Sequence, residues 1–117
     1  MPARPIILNV DDVERVRAVI SEILRCAGFE VREAATGAEA LRLAAEHPDL
    51  ILLDIQLPDI DGFDVAERLA RAGDPPAVVL VSTRGVSAYR RRLARSPASG
   101  FISKSELSGN ALSTLVS

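Results

Sequence analysis

Polar residues close several apolar stretches of this chain, and their types could support chemistry at phosphorus. Asp11 and Asp12 follow "PIILNV" (5–10), and Asp54 ends "DLILLD" (49–54). Ser82 ends "PPAVVLVS" (75–82) with Thr83 beside it, and Lys104 follows "GFIS" (100–103). Three carboxylates brought together would repel one another unless a cation compensated them. A small set of hard oxygen ligands favours Mg²⁺, which keeps several waters and leaves coordination for a phosphate. An aspartate beside such a metal can act as a nucleophile toward phosphorus. A lysine and a hydroxyl could then neutralise and bond the oxygens of a transferring phosphoryl group.

That chemistry requires the ends of these runs to be neighbours, so the elements between them matter. From Val13 the spacing is helical: Val13, Val16, Ile20, Ile23, Leu24 and Ala27 share one face, and Gly28 follows where a helix would end. "FEVREA" (29–34) alternates like a strand with one open side. Thr36 and Glu39 form a capping-box pattern before a helix that ends near His47-Pro48. Asp61 to Gly73 reads as a helix with Phe63, Val65, Leu69 and Ala72 inward. An Arg-rich helix is expected around Ser87 to Arg95, and a last short helix over 105–117. Five strand–helix pairs in alternation, with continuous apolar strands, imply a parallel sheet covered on both faces. The expected fold is α/β, flavodoxin-like: a doubly wound five-stranded sheet of order 2-1-3-4-5 with five helices, one domain over residues 1–117. Ligands of such sheets sit beyond the C-terminal strand ends where the order reverses, here between the first and third strands.

Bulk properties narrow the classes. Hydrophobic residues make up 48% and aromatics only 3%, so the core must be aliphatic. A formal net charge of -2 argues against direct nucleic-acid binding, which wants a concentrated basic surface. "RRRLAR" (90–95) is therefore read as a solvated helix face. The lone Cys26 excludes an internal disulfide and is read as a packed residue. No apolar run approaches the roughly 20 residues of a membrane span, and the N-terminus lacks a signal-peptide core, so a cytoplasmic protein is expected.

The set "NVDD", "LLDIQLPDIDG", "VVLVST" and "GFISK", in this order, resembles the motifs of response-regulator receiver domains, the phosphoaccepting modules of two-component signalling. The resemblance spans Ile6 to Val116. It implies that Asp54 is the phosphoacceptor and that Asp11 and Asp12, with Asp54 and the Gln56 backbone carbonyl, hold Mg²⁺. It implies that Ser82 is the switch hydroxyl, that Lys104 pairs with the phosphoryl group, and that Phe101 is the switch aromatic. Pro58 and Gly62 would shape the loop after Asp54. The implied partners are a histidine kinase or histidine phosphotransfer protein, a downstream output domain or protein, and a second copy on phosphorylation. The implied role is a signalling switch rather than an enzyme, remodelling the face of the fourth helix, fifth strand and fifth helix. The chain could be a stand-alone receiver or a piece of a longer regulator.

Simpler readings compete at several positions. Asp12 could cap the helix after it, and one of Asp59 and Asp61 should cap the helix that follows them. His47 suits the C-terminal end of a helix. The sequence also departs from the family. Thr83 stands where a small residue is usual and should slow phosphotransfer or dephosphorylation. Ser105 replaces a proline that commonly follows the lysine in a cis peptide. A cis bond to a non-proline costs about 2.5–4 kcal/mol, so a trans bond is expected. Phe101 lacks the hydroxyl of the frequent tyrosine. Two other functions compete: a phosphorylation-independent interaction module, and a Mg²⁺-dependent phosphohydrolase. The second is disfavoured because Gln56, two residues after Asp54, cannot serve as a general acid.

Overall fold

The apolar run that ends on Asp54 becomes the central strand of a five-stranded parallel sheet. The computed structural model describes residues 4–108, 110 and 111. The strands are β1 (Ile6–Val10), β2 (Glu30–Ala34), β3 (Leu50–Asp54), β4 (Ala77–Ser82) and β5 (Gly100–Ser103). They pair in the order β2-β1-β3-β4-β5, every pair parallel, as the alternation implies. All five residues of β3 are buried. Side chains alternate between faces, and the two faces build two cores. Leu50 and Leu52 join Ile7, Val79 and Val81 with Ile20 and Leu24 of α1 (Glu14–Cys26). Ile51 and Leu53 join Leu8, Val10 and Leu80 with Ala40 of α2 (Gly37–Ala44) and Phe63, Val65 and Leu69 of α3 (Gly62–Ala70). Each Val, Leu, Ile or Phe side chain among these contributes about 1.5–3 kcal/mol by leaving water, so the strand ends are held on a rigid base.

Local signals set the helix ends. Gly28 adopts φ +98°. It lets the Phe29 N–H reach Leu24 O and the Gly28 N–H reach Arg25 O, closing α1 with a Schellman motif. Thr36 Oγ1 accepts from the Glu39 N–H at 3.1 Å, and Glu39 reaches back one residue beyond the usual capping box, to the Ala35 N–H. Asp61 caps α3 through the Phe63 N–H at 2.8 Å. Asp59 does something else: its carboxylate accepts from the Gly37 and Ala38 N–H groups at the start of α2. One acid thus caps the helix next in sequence and the other a helix some 20 residues earlier.

Several expectations are corrected. α3 stops at Ala70, and Ala72 is exposed rather than inward. The Arg-rich segment divides into a 3₁₀ turn, Val86–Tyr89, and the six-residue α4 (Arg90–Arg95). Arg90, Arg91 and Arg92 occupy its first turn, where positive charge opposes the helix dipole. Cys26 is exposed, not packed, with its Sγ 3.7 Å from Glu22 Oε1. It stands two residues after buried Leu24, about 200° around the helix. His47 lies at φ +58° beyond the end of α2. Four α-helices are seen among the described residues. The expected fifth falls outside them, apart from helical Asn110 and Ala111. Before it, Lys104–Glu106 is a 3₁₀ turn, and no described peptide bond is cis, Lys104–Ser105 included. Among the described residues no helix is long and apolar enough to cross a membrane.

Candidate functional site

Parallel pairing carries the polar strand ends to one edge. Val10 pairs with Leu53, so Asp11 emerges beside Asp54. Asp54 pairs with Val81, and Ser82 with Ser103, which brings Lys104 in from β5. Lys104 Nζ lies 2.7 Å from Asp11 Oδ2 and 3.3 Å from Asp54 Oδ2. One ammonium therefore bridges two carboxylates from residues 93 and 50 positions away in the chain.

The two acids are held firmly. Asp11 is buried, and its Oδ1 accepts the Val13 N–H at 2.9 Å. Its carbonyl accepts from Arg17 Nη1 at 2.8 Å, and its N–H donates to Ala34 O. Asp54 is also buried, and its Oδ1 accepts the Gln56 N–H at 3.2 Å. Asp12 is exposed and caps nothing: α1 starts after Val13 with no side-chain cap. Freed from that duty, its carboxylate completes a cluster in which one oxygen each of Asp11, Asp12 and Asp54 lies within 4.8 Å of the others.

Electrostatics set the character of the pocket. Burial pushes the Asp54 carboxyl above its ordinary value, against the pull of the Lys104 charge and the Gln56 N–H, and the Asp11 charge adds to the rise. Burial by itself would lower the Lys104 ammonium, but the Asp11 hydrogen bond and the charges of Asp54 and Asp11 outweigh it and hold the pKa above the usual lysine value. Asp11 Oδ2 faces that ammonium at 2.7 Å and has no other partner among the described residues. Three carboxylates gathered this closely suit a hard divalent cation with few protein ligands.

Ser82 ends β4 at the same edge, and its hydroxyl is bonded to groups other than the acids. Its Oγ is buried, 3.2 Å from the Tyr89 hydroxyl, and accepts the Arg84 N–H at 3.1 Å. Thr83 beside it is exposed. Phe101, half-buried on β5, has its ring centroid 6.1 Å from that of Tyr89. Tyr89 was not singled out from sequence. It is the only tyrosine, seven residues after Ser82, and nothing in the sequence pairs the two. The capping of α2 by Asp59 likewise leaves no local signal.

Comparison with known proteins identifies the family and the fold. The family model for the response regulator receiver domain matches residues 7–116. The transcriptional regulatory protein PrrA of Mycobacterium bovis is 46% identical over 84 residues, 70% of this chain and 36% of PrrA. The positive transcription regulator BvgA of Bordetella pertussis is 35% identical over 102 residues, 86% of this chain and 49% of BvgA. The chain thus spans half or less of these relatives. Among solved structures, chemotaxis response regulator CheY4 of Vibrio cholerae superposes with a TM-score of 0.84 at 26% identity, covering 97% of both chains.

Proposed function

The chain belongs to the response-regulator receiver family, and from that premise we propose that Asp54 accepts a phosphoryl group from a phosphohistidine of a partner histidine kinase or histidine phosphotransfer protein. The observation that carries this reading is the Lys104 ammonium held between Asp11 Oδ2 and Asp54 Oδ2 at 2.7 and 3.3 Å. A buried pair of acids sharing one cation has little reason to exist for stability alone, while the same groups suit an incoming phosphoryl group.

Asp11, Asp12, Asp54 and the Gln56 backbone carbonyl would hold Mg²⁺, which when bound offsets negative charge on the phosphoryl oxygens. The Asp54 carboxylate attacks the phosphorus in line. The new O–P bond forms as the P–N bond of the phosphohistidine breaks, and the electron pair returns to the imidazole. The Gln56 N–H and the Lys104 ammonium keep Asp54 oriented and ionised for that attack. The acyl phosphate adds about -1.5 to -2 charge, toward which Lys104 turns from Asp11 and Ser82 turns from the core. Phe101 and α4 then repack, and the face made by α4, β5 and the segment after it changes its fit to an output domain, a downstream protein or a second copy. Two pre-existing states are biased by as much as their phosphoryl contacts differ.

The test is incubation with Mg²⁺ and a small acyl-phosphate donor, followed by intact-mass measurement. The expected result is a gain of one phosphoryl group, absent in Asp54→Asn. No gain with any donor would leave a phosphorylation-independent interaction module, and turnover of unrelated phosphomonoesters a phosphohydrolase.

A further inference from the structure

The structure assigns to Tyr89 the part of a latch: its hydroxyl positions Ser82 in the resting state and couples the release of Ser82 to α4. This rests on the phosphoacceptor reading above and extends it to how the site is regulated. The Ser82 Oγ and Tyr89 hydroxyls are buried and 3.2 Å apart. Ser82 Oγ also accepts the Arg84 N–H, and either hydroxyl can be the donor in its bond with Tyr89. In this proposal Ser82 gives up this bond when it turns to a phosphoryl group on Asp54.

The phenol ring is the middle of a row of three. Its centroid lies 5.8 Å from that of Phe63 on α3 and 6.1 Å from that of Phe101 on β5. Phe101 has no hydroxyl, so on this row the group that can sense the serine comes from the turn before α4. Tyr89 immediately precedes Arg90, and the Arg92 guanidinium sits 4.2 Å over the Phe63 ring while pairing with Asp61. Once Ser82 leaves, a buried phenol is left without its partner, a state that costs free energy. Rotation of Tyr89 relieves it and moves the first turn of α4 with its arginines. The contacts form one continuous physical path from Ser82 to that exposed basic face.

The experiment uses beryllofluoride with Mg²⁺ as the phosphoryl mimic and follows loading by ¹⁹F NMR. Tyr89→Phe keeps the ring and removes only the latch. Its expected effect is roughly 2- to 10-fold tighter loading than wild type, the range a neutral hydrogen bond supplies. That gain should vanish when Ser82 is alanine, because the latch then has nothing to hold; a merely structural role would give the same change in both backgrounds. The chain has one Tyr and no Trp, so its intrinsic emission reports Tyr89 alone. That emission should change on loading in wild type. Wild-type loading with unchanged emission, or equal affinities of wild type and Tyr89→Phe, would overturn the latch and leave the phosphoacceptor reading standing. Failure of wild type to load at all would remove both.

Discussion

Gly62 lies against the main chain of Asp54 so closely that no other residue fits there. A methyl group at Gly62 would fall 2.6 Å from the Asp54 carbonyl oxygen and 2.7 Å from Ile55 Cα. The Gly62 N–H meanwhile donates to Ile55 O at 2.8 Å. The start of α3 is thus clamped to the end of β3, and the clamp fixes where the Asp54 carboxylate points.

Gly62→Ala should therefore harm both fold and site. Backbone on one side of the contact cannot yield as a flexible side chain would, so the cost should be about 1–3 kcal/mol, typical of overpacking. Labelling of Asp54 by an acyl phosphate should slow as well. Gly73→Ala is the control, with open space around the added carbon and an effect expected within about 0.5 kcal/mol. Urea unfolding and labelling time courses on both variants would check this; equal behaviour would show that the clamp is not tight.

Lys104→Met should destabilise the protein at neutral pH. The folded-state pKa of Lys104 is raised. Its stabilising contribution is therefore complete below the ordinary lysine value of 10.5 and is lost only as pH rises through the higher folded value. At pH 7 the substitution leaves two buried carboxylates facing each other. Breaking a fully buried pair costs about 3–5 kcal/mol, and partial exposure of Lys104 lowers the expectation to about 1–3 kcal/mol. Because burial raises the Asp54 pKa, that acid is uncharged in the fold at a pH where an ordinary aspartate is still ionised. The gap between variant and wild type should accordingly narrow as pH falls toward 4. A gap that widened in acid would contradict the geometry.

Asp59→Asn should weaken the tie between the loop after β3 and α2. The Ala38 and Gly37 N–H groups hold the Asp59 carboxyl below its ordinary value of 3.8. A lowered acid stabilises the fold above the unfolded value, and that contribution disappears as pH drops through the folded one. Thermal melts should show the variant less stable at pH 7, with the difference shrinking as pH falls below the ordinary aspartate value. The carboxylate is exposed, so 1 M salt should shrink the difference. A difference that persisted at low pH would point instead to the hydrogen-bond geometry of the side chain.

How far the sequence could be read depended on the range of the interaction involved. The strands announced themselves because β3 is buried at every position, and period and burial leave a mark on consecutive residues. The site was legible for the same reason: Asp11, Asp54, Ser82 and Lys104 each stand where an apolar run stops, and parallel pairing aligns such ends. Caps within three residues, such as Thr36 with Glu39, were equally visible. What stayed hidden was contact between distant segments. Asp59 binding the start of α2 and Tyr89 meeting Ser82 depend on how loops cross the sheet edge, and neither leaves a periodic trace. Cys26 departs from the expected packing because an apolar residue type in the last turn of α1 does not by itself place it on the apolar face, and it lies opposite Leu24.

Thr83 offers the last prediction, since it follows Ser82 and is exposed. By the resemblance to receiver domains its bulk stands next to the switch hydroxyl, where a small residue is usual, while its exposure means it contributes little to the core. Thr83→Ala should then leave stability within about 0.5 kcal/mol of wild type. Labelling of Asp54 by a small acyl phosphate, or loss of the label after the donor is removed, should quicken by roughly 2- to 10-fold, equivalent to no more than about 1.4 kcal/mol of barrier. Parallel time courses of intact mass give both rates from one experiment. If neither rate moves, access is set by the acids and Lys104 themselves, and the bulk of Thr83 is irrelevant to the chemistry.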